Sequence, residues 1–277
     1  MENQYLYSFV LALVLSLALA PLLIRYSAHF GLVDDPGGDE RKKHKSVMPR
    51  SGGVGIILAA ALALLVVLPW DRSLLGLVLG GMTIALFGLL DDRFELKVAY
   101  KILGQMIGVG FAVMGGMVVA DVPFFDSVPL WLSRVLTLVF VVGVINAVNF
   151  SDGMDGLTAG TTLMSLSLIF ILALESGNVA AATIALAVSA AVLGFLHFNT
   201  HPASIFMGDS GSQFLGFIVA WLAIDVSQAE ISPMTTLMPL LLLGIPLIDM
   251  IQVIPVRLKK GLAPWNADRH NFHFQIS

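Results

Sequence analysis

Five aspartates stand out by type and spacing: the adjacent pair Asp91-Asp92, then Asp152 and Asp155, then Asp209. Each lies where an apolar run ends or begins. Ionised carboxylates are expensive next to lipid, so gathering them at one end of several such runs points to a site that binds a cation and uses it in chemistry. Asp91-Asp92 closes an uncharged run from Leu74 to Leu90. Acidic groups at a helix C-terminus oppose the helix dipole, and a bound cation would offset them. The plainer reading is a polar helix end meeting headgroups.

Two longer constellations are richer. The stretch Asn146-Ala-Val-Asn149-Phe-Ser-Asp152-Gly-Met-Asp155-Gly-Leu157 sets two amides and two carboxylates ahead of the next apolar run. A turn with Asp155 as N-cap accounts for part of it. The full set is of the kind that binds a nucleobase, a sugar or a hard cation. The stretch from Asn199 ends in Phe206-Met-Gly208-Asp209-Ser-Gly211-Ser212 at another expected helix start. Main-chain N–H groups there can cradle a phosphate, and Asp209 can hold Mg²⁺ against it; the alternative is again an N-cap.

Basic residues are concentrated too. Arg41, Lys42, Lys43, His44, Lys45 and Arg50 precede Gly52-Gly53. Most of these charges serve topology and anionic lipid, while Lys45 and His44 are placed to meet a substrate phosphate. In the tail, Arg269, His270 and His273 beside Asp268 suit phosphate contact, and two histidines are weak evidence for a metal. Asp249, beside Pro246 in the last apolar run, is costly unless paired or hydrated.

The elements that must position these groups follow from composition. The chain has 277 residues, 57% apolar and 12% charged, against about 25% charged in a soluble domain. Apolar runs near the ~20 residues of a membrane-spanning helix recur at 5–24, 53–70, 74–90, 102–120, 130–149, 157–174, 179–198, 211–225 and 231–256. The expected fold is therefore an all-α polytopic membrane protein of about nine spans, a single integral-membrane domain over 1–277. All Lys and Arg except Arg72 and Arg134 fall in loops 25–52, 91–101, 146–156, 197–210 and 257–277. The positive-inside rule makes those loops cytosolic and leaves the N-terminus outside. The first run lacks a basic n-region and a small-residue cleavage site, so it reads as a retained span. The absence of cysteine excludes disulfides, zinc-thiolate sites and cysteine nucleophiles.

In their joint order these motifs resemble the polyprenyl-phosphate N-acetylhexosamine-1-phosphate transferases of glycosyltransferase family 4. That family includes the undecaprenyl-phosphate GlcNAc-1-phosphate transferases and the related phospho-MurNAc-pentapeptide translocase. The resemblance is carried by Gly31-Leu-Val-Asp34, Arg41-Lys-Lys-His44 with Pro49 and Gly52-Gly53, and Gly88-Leu-Leu-Asp91-Asp92 with Lys101 and Gln105. It continues through Asn146 to Leu157, Phe198-Asn199 with Pro202-Ala203, Phe206 to Ser212, and Pro246-Leu-Ile-Asp249. The family usually has ten or eleven spans. Its GlcNAc branch usually carries Asp-Arg-x-His-x-His-His in the last inner loop, where this chain reads Asp268-Arg269-His270-Asn271-Phe272-His273-Phe274.

The resemblance implies transfer of a sugar-1-phosphate from a UDP-sugar to undecaprenyl or another polyprenyl phosphate, with release of UMP, at the cytosolic face of a bacterial inner membrane. GlcNAc is the expected sugar, since Asp268-Arg269 is closer to that branch, and a cell-surface polysaccharide such as O-antigen the expected product line. Phospho-MurNAc-pentapeptide transfer is the alternative within the family. It implies Asp91, Asp92 and Asp209 as the catalytic acids, with Asp209 and Asp152 holding Mg²⁺ or, in its place, Mn²⁺. Lys45, Lys101, Asn146, Asn149, Asp152, Asp155, Asn199, Phe206, Arg269 and His273 are the implied substrate-binding residues. Expected partners are the UDP-sugar, polyprenyl phosphate, membrane lipid and a second copy in a homodimer, with no nucleic acid.

Phosphoryl transfer of this kind needs positioning and charge neutralisation more than covalent help. The acceptor phosphate has a second pKa near ~6 and is mostly dianionic at neutral pH, so direct attack is favoured, with Asp91 or Asp92 orienting or finally deprotonating it. A covalent aspartyl intermediate is the rival route. A transporter with an acidic relay is the competing class. It accounts for Asp249 but not for carboxylates gathered beside glycine turns, and internal repeats are missing.

Overall fold

The computed structural model describes residues 2–37, 47–119 and 128–228, together with Gly244. Eight long helices follow one another: α1 (Glu2–Tyr26), α2 (Gly52–Val67), α3 (Arg72–Phe94), α4 (Val98–Gly115), α5 (Leu130–Ser151), α6 (Leu157–Glu175), α7 (Val179–Asn199) and α8 (Gly208–Ser227). Between α1 and α2, β1 (Val33–Asp34) pairs antiparallel with β2 (Met48–Pro49), with Val33 opposite Pro49 and Asp34 opposite Met48. All but α2 are long and apolar enough to cross a membrane; α2 is apolar but has 16 residues. The protein is an all-α polytopic membrane protein. Apart from Gly244, the expected ninth span, 231–256, lies outside the described residues, as do Asp249 and the tail.

Two helix bounds differ from the sequence reading in ways that matter. The third span runs on to Phe94 and the fourth begins at Val98, so Asp91, Asp92 and Lys101 stand on helices and only a tight turn separates them. Glu95 takes the left-handed conformation (φ 49°) that closes α3. The short span expected at 211–225 starts at Gly208, which puts Asp209 in the first turn of α8 rather than in a loop.

Helix α8 is the centre of the bundle. It packs against α2, α3, α5 and α6, while α3 also lies along α4, and α1 along α2 and α7. Of the spanning windows, 89% of α8 and 72% of α7 is buried, against 22% of α1 and 28% of α4. The outer helices present Leu6, Val10, Leu86 and Met106 outward, as lipid-facing surfaces do. With no hydrophobic drive between helices in lipid, close approach of small residues supplies the packing. Accordingly α7 buries an alanine-rich face that includes Ala181, Ala185, Ala187, Ala190 and Ala191. Helices α3 and α4 touch where Gly76 meets Gly115; a Cβ on Gly76 would lie 2.8 Å from Gly115 Cα.

The N-terminal end of α8 is held most closely of all. A Cβ on Gly53 would come within 2.3 Å of the Gly211 nitrogen, and one on Gly88 within 2.5 Å of Ser210 Cα. The glycine pair Gly52-Gly53 thus serves close packing of α2 on α8. The Gly52 and Gly53 N–H groups donate to Phe206 O (3.0 Å) and Met207 O (2.8 Å).

Candidate active site

Asp91, Asp92, Asp152 and Asp209 converge at one end of the bundle. They are carried by the last turns of α3, the residue after α5 and the first turn of α8. Asp91 and Asp92 are both buried. The ammonium of Lys101, on the first turn of α4, pairs with Asp91 Oδ2 and with Asp209 Oδ2, the latter at 3.0 Å. Asp91 Oδ1 accepts the Leu96 N–H at 2.7 Å, which ties the α3–α4 turn to the same carboxylate.

Asp92 faces the other way. Its Oδ1 accepts the main-chain N–H of Asp209 at 2.7 Å and its Oδ2 that of Ser210 at 3.0 Å. Those are N–H groups that a helix start leaves without intrahelical partners. The expectation that they would cradle a phosphate is therefore not met. The expected offset for acids at the end of α3 is present in another form: Lys101 for Asp91, and the positive end of α8 for Asp92.

Beneath the carboxylates runs a lattice of side-chain amides. Gln213, one turn along α8 from Asp209, lies 3.5 Å from Asp209 Oδ2 and accepts from Gln105 Nε2 at 3.0 Å. Gln105 Oε1 accepts from Asn146 Nδ2 at 2.8 Å, and the same Asn146 nitrogen donates to Val142 O at 2.7 Å. Asn149 donates to Ser212 Oγ at 2.8 Å. Asn146 and Asn149 thus stand on α5, linked to α4 and α8. Gln213 was not singled out from sequence. The signal was there: a glutamine one helical turn beyond an aspartate in an otherwise apolar run needs a partner.

The loops around this core are stitched together. Asn199 is buried; its Oδ1 accepts the Gly156 N–H (2.9 Å) and its Nδ2 donates to Ile205 O (2.8 Å). Asp155 Oδ2 accepts from Ala203 N–H (3.1 Å) and meets His201 Nδ1 (2.9 Å). Asp155 is not the N-cap of α6. That position belongs to Gly156, whose left-handed backbone (φ 73°) turns the preceding carboxylate toward the loop at 200–203 instead. Phe206 donates its N–H to Pro49 O at 2.7 Å, joining this loop to β2. Lys45, Arg269 and His273 lie outside the described residues.

Asp152 follows α5. Burial pushes its carboxyl up to about 7, and the negative charge of Asp209 adds to the effect. A carboxyl whose ionisation is opposed by a neighbouring carboxylate is what a divalent cation would relieve. Among the described residues no three His, Cys, Asp or Glu side chains form a metal cage. The set present nevertheless fits Mg²⁺, which binds through one or two carboxylates and completes its shell with water and substrate phosphate oxygens. Beside Asp92, a cavity of about 510 Å³ opens between the β1–β2 hairpin and the end of α3. Its walls include Asp34, Arg50, Asp92, Arg93 and Glu95, with Arg50 held by Asp34 at 3.6 Å. That size suits a small ligand.

A sequence model described as Glycosyl transferase family 4 matches residues 74–227, from α3 through α8. The chain belongs to glycosyl transferase family 4. The matched segment of this family 4 chain carries Asp91, Asp92, Lys101, Asp152 and Asp209. Curated relatives agree over greater length. The chain is 32% identical to a protein of Bacillus subtilis (strain 168) named "Probable undecaprenyl-phosphate N-acetylglucosaminyl 1-phosphate transferase", over 97% of this chain and 76% of the relative. It is 29% identical to the Yersinia pestis "Undecaprenyl-phosphate alpha-N-acetylglucosaminyl 1-phosphate transferase", over 100% and 76%. It is also 32% identical to the "Phospho-N-acetylmuramoyl-pentapeptide-transferase" of Thermoanaerobacter sp. (strain X514), over 100% and 92%.

Proposed function

We propose that this family 4 chain is a transferase that moves a sugar-1-phosphate, foremost GlcNAc-1-phosphate, from a UDP-sugar to undecaprenyl phosphate, giving a lipid-diphosphate-linked sugar and UMP. The observation that carries this reading is the meeting of Asp91, Asp209 and Lys101 at one end of the bundle, with Asp152 close enough to feel the charge of Asp209. The relatives' names support undecaprenyl phosphate as acceptor and GlcNAc-1-phosphate as the group transferred.

Asp209 and Asp152 are the residues that would hold Mg²⁺. When bound, the ion supplies neutralisation of the diphosphate and of the leaving UMP. The protein's own groups do the positioning. Lys101, already between two carboxylates, is placed to hand part of its charge to an incoming phosphate and reduce the repulsion between two anionic substrates. Asp91 or Asp92 would orient the acceptor, whose dianion needs no strong base. Asn199 and Asp155 hold the loops that frame the donor side, and Phe206, Asn146 and Asn149 are the further donor contacts. The clustering of Lys and Arg in loops at the same end supports a cytosolic-face site in a bacterial inner membrane, with the N-terminus outside.

The test is UMP release by the purified protein given UDP-GlcNAc, undecaprenyl phosphate and Mg²⁺. Release that requires all three is expected; its absence across a panel of UDP-sugars would remove the reading. The Thermoanaerobacter relative favours one alternative, transfer of phospho-MurNAc-pentapeptide, so UDP-MurNAc-pentapeptide belongs in that panel. Uptake of solute into proteoliposomes without UMP formation would favour a transporter instead.

A further inference from the structure

The two aspartates closing α3 are bonded to different things, and the difference assigns them different work. Resting on the transferase reading above, we propose that Asp92 is a positioning residue: it caps α8 from across the helix pair and so fixes Asp209, taking no proton and holding no metal itself.

Helix α8 lacks a side-chain cap from its own N-cap residue. Its N-cap position is Met207, whose side chain makes no capping hydrogen bond. An N-cap Ser, Thr, Asp or Asn would accept from the second and third helical N–H groups. Here those two groups, Asp209 and Ser210, donate to Asp92, a residue 117 and 118 positions away in the chain. Both Asp92 oxygens are engaged, and the side chain is buried. The approach is built for this contact. Gly208 has φ +76°, and a Cβ there would lie 2.7 Å from Asp92 Oδ2 and 2.5 Å from Arg50 O. Gly88, one turn before Asp92, removes the side chain that would hold α3 away from Ser210. Asp209 is therefore held twice: its main chain by Asp92, its carboxylate by Lys101. A shift of about 1 Å at a reacting centre can cost ~10²-fold in rate, so such a hold matters to turnover.

The decisive measurement is amide hydrogen exchange on the full chain in nanodiscs, without Mg²⁺ or substrate. The Asp209 and Ser210 amides should be protected by at least ~10-fold relative to the first-turn amides of an uncapped helix. Asp92→Asn, which keeps one acceptor oxygen, should lose much of that protection. It should also weaken Mn²⁺ binding, read by electron paramagnetic resonance, by roughly 10-fold, and lower kcat by ~10²-fold with the KM for the UDP-sugar and the shape of the pH profile unchanged. Free exchange at both amides in the unsubstituted protein overturns the proposal, and this arm decides alone if the variant does not fold. Loss of one limb of the pH profile, or loss of Mn²⁺ binding with amide protection intact, would also overturn it by giving Asp92 a direct part in proton transfer or metal binding. Exchange needs no turnover, so an inactive protein with protected amides would count against the transferase reading and leave the cap standing.

Discussion

The ammonium of Lys101 on α4 stands 3.0 Å from Asp209 Oδ2 on α8 while also pairing with Asp91 on α3. One cation thus joins the carboxylates of two other helices. Lys101→Met leaves two carboxylates facing each other with no counter-charge. Breaking a buried pair costs roughly 3–5 kcal/mol, and since Lys101 and Asp209 are each more than a quarter exposed, about 1–3 kcal/mol is expected here. In metal-free detergent solution the variant should unfold at lower temperature, and saturating Mg²⁺ should raise its midpoint more than that of the parent protein. Equal midpoints without metal would show that the lysine is not holding the site together.

Asp209→Asn removes charge from the first turn of α8 but keeps its size. Turnover should fall by about 10³-fold or more while the unfolding midpoint changes little. Mg²⁺-dependent UMP release close to that of the parent would exclude Asp209 as a metal ligand.

Gly208→Ala probes the packing that brings α3 to α8. The added methyl must sit at φ +76° and within 2.5 Å of Arg50 O. Left-handed backbone at a residue with a side chain costs about 1–2 kcal/mol, and the clash adds to it. The expected result is lower thermal stability together with loss of activity. A stable and fully active alanine variant would mean that the loop at 200–207 takes up the change without moving Asp92.

Asp152 should leave its mark on stability against pH. Burial holds its folded pKa at about 7, above the ~3.9 of an unfolded chain. Below both values the carboxyl is protonated in either state and makes no difference. Between them the unfolded chain ionises while the fold keeps the proton, so stability falls as pH rises, and above about 7 the loss is complete. Asp152→Asn removes this slope. At pH 8 without metal the variant should melt above the parent, the two should converge near pH 4, and Mg²⁺ should favour the parent. A variant less stable than the parent at pH 8 without metal would contradict that assignment.

Much of this architecture was legible in the chain. Uncharged runs such as Leu74 to Leu90, closed by acidic pairs, mark spans because nothing else tolerates so long a stretch without charge. The helix bounds near the site were not legible, for a physical reason. Gly208, Asp209 and Ser210 are turn formers by local preference, and they enter a helix because Asp92 supplies the missing acceptor from 117 residues away. Lys101 read as loop because a lysine inside a span is unfavourable alone, and the two carboxylates that make it favourable come from other helices. Asp155 looked like a cap from its neighbours in sequence; its partners, Ala203 and His201, are visible only once two loops meet. The members of the site were recognisable by type, whereas their division of labour depended on contacts between distant segments.

Helix α8 is walled in by its neighbours over 89% of its spanning window, while α1 and α4 meet the surroundings. A thicker or thinner bilayer acts on the outer helices, which tilt or shift to match it. The strut that carries Asp209 feels such a change only through the helices around it. Turnover should therefore vary little between lipids of different acyl length when the acceptor is kept the same, as though the reaction centre stood on a mast stepped inside the hull.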